Sequence, residues 1–316
     1  MLTTIKRWYN NLVTKIEHNS TNQSIILEEL EQIKLQVGAL HAALNNQFTN
    51  TFDLNDVEFK AYSQFGDDGI IQYLIKHANI DSHKFIEFGV QDYAESNTRF
   101  LLLNKAWKGL IIDGDKQAMQ NVRDKDYYWR NSLVAVGEFI TKENINQLFI
   151  ENGFSGEIGI LSIDLDGNDY WIWESIHAVT PQLVIVEYNS LFGAEHAVTI
   201  PYIPDFDRKS AHFSYQYWGA SLAAFERLAD RKGYSLIYCN ANGNNAYFLR
   251  NDKLGKFTKK ASSEVFREAS FRDSRDGGGR LSFEHKESVL KMIEGFSLYD
   301  IDTNRLFTIK EIISSK

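Results

Sequence analysis

Apolar residues recur in steps of four and three along the first fifty positions: Ile5, Tyr9, Leu12 and Ile16, then Ile26, Leu30, Ile33, Val37, Leu40 and Leu44. That spacing is the seam of a coiled coil. Asn19 and Gln23 interrupt it, and polar residues at seam positions set register and oligomeric state. Residues 1–50 therefore read as a helical oligomerisation segment through which the chain self-associates. Two other readings use the same stretch. One is a single long helix lying on the rest of the protein. The other is an interfacial helix built on Lys6, Arg7, Trp8, Tyr9 and Lys15, whose apolar face Asn10 and Asn11 dilute.

From about residue 53 the pattern changes to short apolar runs separated by amphipathic stretches. Gly66-Asp67-Asp68 opens a helix through Lys76 with Ile70, Ile71, Leu74 and Ile75 at helical spacing. Strands are predicted at 84–90, 109–113, 132–137, 158–164 and 182–188. Helices fit between them near 116–125, 141–152 and 169–178, with Ser96 or Asn97 capping a further one. Runs without polar alternation belong to strands covered on both faces, so the series is a set of βαβ units around a parallel sheet. A helix near 219–232 leads into Tyr234–Cys239; the Gly/Asn turn 240–244 then returns the chain as Asn245–Arg250. A turn that short makes a hairpin, so the last strand runs antiparallel to its neighbour. A mostly parallel seven-stranded sheet with an antiparallel last strand is the α/β, Rossmann-like plan of class I methyltransferases rather than that of nicotinamide-cofactor enzymes. The expected division is 1–50 coiled-coil helix, 53–251 catalytic domain and 252–316 helical extension, read either as a lid or as a peripheral helix pair.

Composition narrows the class. The 316 residues suffice for a full α/β core, and a formal charge of −8 argues against nucleic acid as a partner. A single cysteine, Cys239, excludes disulfides and multi-cysteine metal sites. No run is apolar for long enough to be a signal peptide or a membrane span, so a cytoplasmic protein is expected, with peripheral contact at the inner membrane face left open.

The candidate chemistry lies where strands end. Ligands of such sheets bind beyond the carboxyl ends of the strands, which is where Glu87 and Asp113 fall. They are 26 positions apart (113 minus 87), near the roughly 20-residue interval that sets a carboxylate on a ribose hydroxyl. The Gly-x-Gly-x-x-Gly phosphate loop is absent, and the acidic stretch Val90–Glu95 would repel a pyrophosphate. A ribose ligand without phosphate, S-adenosylmethionine, fits better. After the fourth and fifth strands come Asp164-Leu-Asp-Gly-Asn-Asp169 and Glu187-Tyr-Asn189. Asp164, Asp166, Glu187 and Asn189 are hard oxygen donors suited to Mg²⁺ or another divalent cation, which would lower the pKa of an attacking sugar hydroxyl. The alternative is that Asp164 and Asp166 cap the following helix.

Four segments in this order carry a resemblance: Ser63-Gln-Phe-Gly-Asp-Asp68, Phe85-Ile-Glu-Phe-Gly89 followed by Ser96-Asn-Thr98, Trp107-Lys-Gly-Leu-Ile-Ile-Asp113, and Leu161-Ser-Ile-Asp-Leu-Asp-Gly167. Together with the Gly219-Ala-Ser-Leu222 helix and the terminal hairpin, residues 60–250 resemble the FkbM-type S-adenosylmethionine-dependent methyltransferases. The resemblance implies O-methylation of a sugar, in a nucleotide sugar, a glycan or a glycosylated metabolite. It places Glu87 and Gly89 beside the methionine and ribose, with Gln91 and Asn97 of the same loop, Asp113 on the ribose diol, Asp164 at the cofactor and Glu138 near the adenine. The glycine often found about four residues after Gly89 in the family is replaced by Asp92-Tyr93-Ala94. Acids after strand four and an acid-x-amide pair after strand five also look like those of metal-dependent O-methyltransferases, although the spacing differs.

Methyl transfer needs an acceptor for the hydroxyl proton, and His212, His196 and Asp166 are the candidates. Trp171, Tyr188, Tyr217 and Trp218 offer an aromatic wall for the C–H faces of a sugar. Two other function classes stand beside this reading. A glycosyltransferase would use Asp164-x-Asp166 to hold a metal and a nucleotide sugar, and a non-catalytic scaffold would use the coil alone.

Overall fold

A computed structural model describes residues 2–48 and 53–314. Its core is a seven-stranded sheet built from β1 (Lys84–Phe88), β2 (Lys108–Asp113), β3 (Leu133–Gly137), β4 (Gly156–Ile163) and β5 (Val179–Glu187), completed by β7 (Tyr234–Cys239) and β8 (Asn245–Arg250). Between them, Val198–Thr199 forms the short β6. The order across the sheet is β3-β2-β1-β4-β5-β8-β7. β1 to β5 are mutually parallel, and β8 lies antiparallel between β5 and β7. This is the class I methyltransferase, Rossmann-like arrangement, with the antiparallel hairpin strand where the 240–244 turn predicts it. Asn240 holds that turn, its Oδ1 accepting from the backbone of Gly243, Asn244 and Asn245.

The strand sequences explain the layering. Phe85, Ile86, Phe88, Leu110, Ile111, Ile112, Ile160, Leu161, Leu183 and Val184 are all at most 1% exposed, so both faces of the central strands are covered. β1 stops at Phe88, two residues before its predicted end, because Gly89 turns into the left-handed region at φ +66°.

The extension after residue 251 corrects the expectation of helices alone. β9 (Ser297–Asp300) and β10 (Arg305–Thr308) form a hairpin that joins β6 in a second, three-stranded sheet. Leu298, Ile293 and Ile309 pack there against Val198, Ile200, Tyr217 and Trp218, so the extension shares a core with the segment after β5.

The N-terminal helix runs Leu2–Asn45, and the side chains at 2–22 and 24, including the seam positions up to Asn19, lie outside the described residues. Its last four turns lie on the α/β body. Ala42 is buried with Phe59, Ala61, Tyr62 and Phe100, and Leu35 and Ala39 pack beside them. Among the described residues, no helix is long and apolar enough to cross a membrane.

Candidate functional site

The carboxyl ends of β1 and β2 carry two carboxylates in different circumstances. Glu87 is buried and accepts from Ser96 Oγ at 2.5 Å, Asn97 N at 2.8 Å, Thr98 N at 3.1 Å and Thr98 Oγ1 at 2.5 Å. It therefore pins the Ser96-Asn97-Thr98 loop at the start of the helix Arg99–Lys105. Burial pushes its pKa up, against the pull of those hydroxyl and amide donors. Asp113 is only partly buried. Its Oδ2 accepts from Gln91 N at 2.7 Å and its Oδ1 from Asp115 N at 2.8 Å. Each oxygen thus has one backbone donor and keeps a lone pair for a ligand hydroxyl.

Gly89 joins the two halves of the site. A Cβ at this position would sit 1.7 Å from the carbonyl oxygen of Asp164, so the exits of β1 and β4 touch through backbone alone. The loop that follows takes left-handed backbone at two non-glycine residues, Gln91 (φ +47°) and Tyr93 (φ +60°). Such residues cost about 1–2 kcal/mol each. The buried Tyr93 ring, with its hydroxyl 3.0 Å from Thr98 Oγ1, holds the loop in that path.

Two cavities meet at this edge. One of about 210 Å³ is lined by Glu87, Gly89, Gln91, Asn97, Asp164 and Asn245. The other, of about 290 Å³, is lined by Gly89, Gln91, Asp113, Phe139, Asp164 and Arg208. Gly89, Gln91 and Asp164 border both, so the two form one cleft along β1, β2 and β4. Glu138 is not part of its lining; it is half exposed and paired with Lys116 at 3.4 Å. Its neighbour Phe139, 49% exposed, faces the cleft instead, 3.2 Å from where a Cβ of Gly114 would be.

Beyond β4 and β5 the carboxylates crowd together. Asp164, Asp166 and Glu187 each offer an oxygen within 4.8 Å of the others. Burial, then the charges of Asp166 and Asp169, push Asp164 well above the ordinary carboxylate range. Burial, then Asp164 and Asp166, do the same to Glu187. Glu187 Oε2 is buried with no hydrogen-bond partner among the described residues. The positive charge nearest this trio is Arg208, which donates to Asp166 on one side and to Asp273 at 2.8 Å on the other, with its guanidinium 5.3 Å over the Trp218 ring. Against burial, those two carboxylates raise the pKa of Arg208 further.

The neighbouring acid and amide are committed elsewhere. Asp169 accepts from Leu165 N at 2.7 Å and Gly167 N at 2.9 Å, closing the turn, and burial raises its pKa to about 6. Asn189, read from the sequence as a fourth metal ligand, accepts from Leu191 N and donates to the carbonyls of Gln216 and Trp218. It holds the chain after β5. Three carboxylate oxygens and an orphaned buried acceptor fit a hard divalent cation, which takes oxygen ligands.

Neither histidine lines the cleft. His212 Nδ1 is 2.7 Å from Ser214 Oγ, its ring packs on Phe213 and Phe296, and burial lowers its pKa. The backbone carbonyl of His196 accepts from Ser221 Oγ. The predicted aromatic wall divides. Trp171 and Tyr217 are structural, donating to the carbonyls of Ile200 and Ser297. Tyr188 and Trp218, though almost fully buried, border a third cavity of about 290 Å³ beyond β5, together with Asn189, Gln216, Arg272 and Asp273. Sequence reasoning missed Arg208, Phe139 and Asn245. The side chain next to Glu138 and the hairpin turn already located were the available cues for the last two.

No protein-family model matches the chain, and no curated protein matches it. Solved structures similar to it include an O-methyltransferase from Bacillus cereus in complex with S-adenosylhomocysteine, 12% identical over 68% of this chain and 89% of that one (TM-score 0.39). Another is the O-methyltransferase TomG from Streptomyces achromogenes, involved in tomaymycin synthesis and solved with S-adenosylmethionine, 13% identical over 65% and 92% (TM-score 0.37). A third is the N-terminal domain of EvdMO1 with S-adenosylhomocysteine and D-fucose, 10% identical over 57% and 78% (TM-score 0.36). Overlaps this loose say nothing of the reaction. The strand order establishes the fold.

Proposed function

We propose that this chain is an S-adenosylmethionine-dependent O-methyltransferase of the FkbM type, acting on a carbohydrate-type acceptor with the help of a divalent cation. The observation that carries the reading is the continuous cleft over β1, β2 and β4. It ends at Asp113, whose two oxygens are oriented by Gln91 N and Asp115 N and still open toward the cavity. A carboxylate in that state suits a vicinal diol, and Phe139 supplies an apolar face for a base in the same cavity. The order of the strand-end motifs supports the family.

When bound, the cofactor supplies a sulfonium methyl group and the cation lowers the pKa of a coordinated hydroxyl. The displacement at the methyl carbon is in line, so the chain must supply alignment and a destination for the acceptor proton. Asp113 and the Gly89 backbone align the nucleoside. Asp164 borders the cleft beside Asp166 and Glu187, and these three carboxylates would hold the cation; with the cation keeping them ionised, a carboxylate oxygen of the group is the destination of the acceptor's proton. The cavity beyond β5, with Trp218 and Tyr188 beside Asn189, Gln216 and Asp273, has the mixture of ring faces and planar polar groups that suits a polyhydroxylated acceptor.

Calorimetric titration with S-adenosylhomocysteine, in Mg²⁺ and then in EDTA, tests the reading, with UDP as the competing ligand. Micromolar binding of S-adenosylhomocysteine that Asp113→Ala removes is the expected result. Binding of UDP alone would replace this function with the glycosyltransferase one.

A further inference from the structure

The long helix has two apolar faces, and the catalytic domain uses only one of them. Apart from Leu35, the docked face is made of small or polar residues. Gly38 sits so close to the body that a Cβ there would meet Phe100 Cε2 at 2.9 Å, Ala42 is buried, and Asn45 Nδ2 donates to Val57 O at 2.7 Å. Glu31 marks where this contact begins; Gln23 and Ile25–Leu30 before it are all exposed. The seam lies on a different face. Ile26, Leu30, Ile33, Val37, Leu40 and Leu44 are each 50–63% exposed. An apolar stripe of this kind on a soluble helix marks an interaction surface.

We infer that this seam is covered by the same seam of a second copy of the chain, in a parallel, in-register coiled coil. The occupant is identified by self-complementarity. With Leu30, Val37 and Leu44 at the a positions and Ile26, Ile33 and Leu40 at d, the heptads continue unbroken back to Ile5. Position 19 is then a d and position 23 an a. A parallel pair sets the two polar seam positions against themselves, where an amide specifies register. A fully overlapped antiparallel pair instead sets Asn19 against Leu30 and Gln23 against Ile26, which strands both amides on apolar partners. Charge agrees with the parallel choice. Glu29 occupies a g position and Lys34 the e position five residues on, the pair that meets across a parallel interface. Glu29 is exposed, and Lys34 stands at the border of the docked face, 39% exposed and 3.7 Å from Glu31.

The geometry also leaves room for the partner. The 44-residue helix is about 66 Å long, and of its described side chains those from Glu31 onward meet the body while Gln23 and Ile25–Leu30 are exposed. Helical segments without tertiary support are marginal in water, so the exposed stretch gains its stability from the second helix.

The test uses the full-length protein and is independent of any ligand. Light scattering after size exclusion is expected to give a multiple of 36.4 kDa for the native chain. Ile33→Lys with Leu40→Lys, both on the exposed seam, is expected to bring it to the mass of one chain while the melting transition of the catalytic domain stays in place. Val37→Cys is expected to form an interchain disulfide on mild oxidation, since Cys239 is buried and the new thiol faces its own copy only in the parallel register. A native chain that runs as a monomer at micromolar concentration would overturn the inference, and so would an unchanged mass for the double variant. Monomers that bind anionic vesicles through the helix would assign the seam to a lipid surface instead. Assembly without the Val37→Cys crosslink would reject the parallel register.

Discussion

The two ends of the strand edge treat their carboxylates in opposite ways. At β1 and β2 every acid has its donors: four bonds to Glu87, one backbone N–H to each oxygen of Asp113. At β4 and β5 three acids share one another's field, one oxygen has no donor, and the single bonded cation reaches only Asp166. The first end is finished as it stands, which suits the neutral diol proposed for it. The second is unfinished, and what completes it is positive charge, as a metal ion or as protons. A binding surface and a reactive centre can thus be told apart by how completely the protein alone satisfies them.

Gly89→Val would break both ends at once, because its side chain enters the space of the Asp164 carbonyl in a backbone conformation that disfavours any Cβ. Overpacking at about 1–3 kcal/mol and the left-handed penalty of about 1–2 kcal/mol predict a loss visible as a lower urea midpoint, together with loss of S-adenosylhomocysteine binding. An unchanged midpoint would mean that the two exits do not touch. Asp113→Ala should affect one end only. Charge-assisted bonds worth about 1.5–3 kcal/mol each imply a fall in S-adenosylhomocysteine affinity of at least tenfold, with the response to Mg²⁺ intact.

Glu187→Gln isolates the other end through pH. Glu187 and Asp164 hold protons more tightly when folded than when unfolded, so the folded state carries the extra protons. Without metal, stability therefore falls as pH rises from the ordinary carboxylate values of 3.8 and 4.5 up through the raised folded ones. Asp169 contributes a fall of the same sign between 3.8 and about 6. Melting temperatures from pH 4 to 8, taken in EDTA, should drop less steeply for Glu187→Gln, and Mg²⁺ at pH 8 should stabilise the native chain but not the variant. Equal slopes would show that the trio carries no buried charge. The smallest effect belongs to Phe139→Ala. An exposed ring worth about 0.5–1.5 kcal/mol should weaken S-adenosylhomocysteine binding about 2- to 12-fold, leaving metal response and melting untouched.

How much of this was readable in the sequence follows from the range of each interaction. The strands were legible because burial on both faces writes itself as unbroken apolar runs, and Glu87, Gly89 and Asp113 because their place at a strand end is a local property. The β8 hairpin was legible from five turn residues. What escaped depends on partners far away in the chain. Arg208 lies in a segment of no clear pattern, and nothing near it signals that it meets Asp166 and Asp273. Asn189 looked like a ligand by spacing, yet its amide serves carbonyls 27 and 29 residues on. The seam stood out in the helix because heptads repeat, while the docked face did not, since Gly38, Ala42 and Asn45 make contact by being small or by a single amide.

The bridge from Asp166 through Arg208 to Asp273 also sets an order of events during synthesis. A domain emerging from the ribosome folds as a unit. Gly89, Gln91 and Asp113 are made well before residue 273 exists, and the cavities they line take Arg208 and Asn245 as well. The second carboxylate on Arg208 arrives only with the final segment, so the acidic centre is the last part of this edge that a nascent chain can settle.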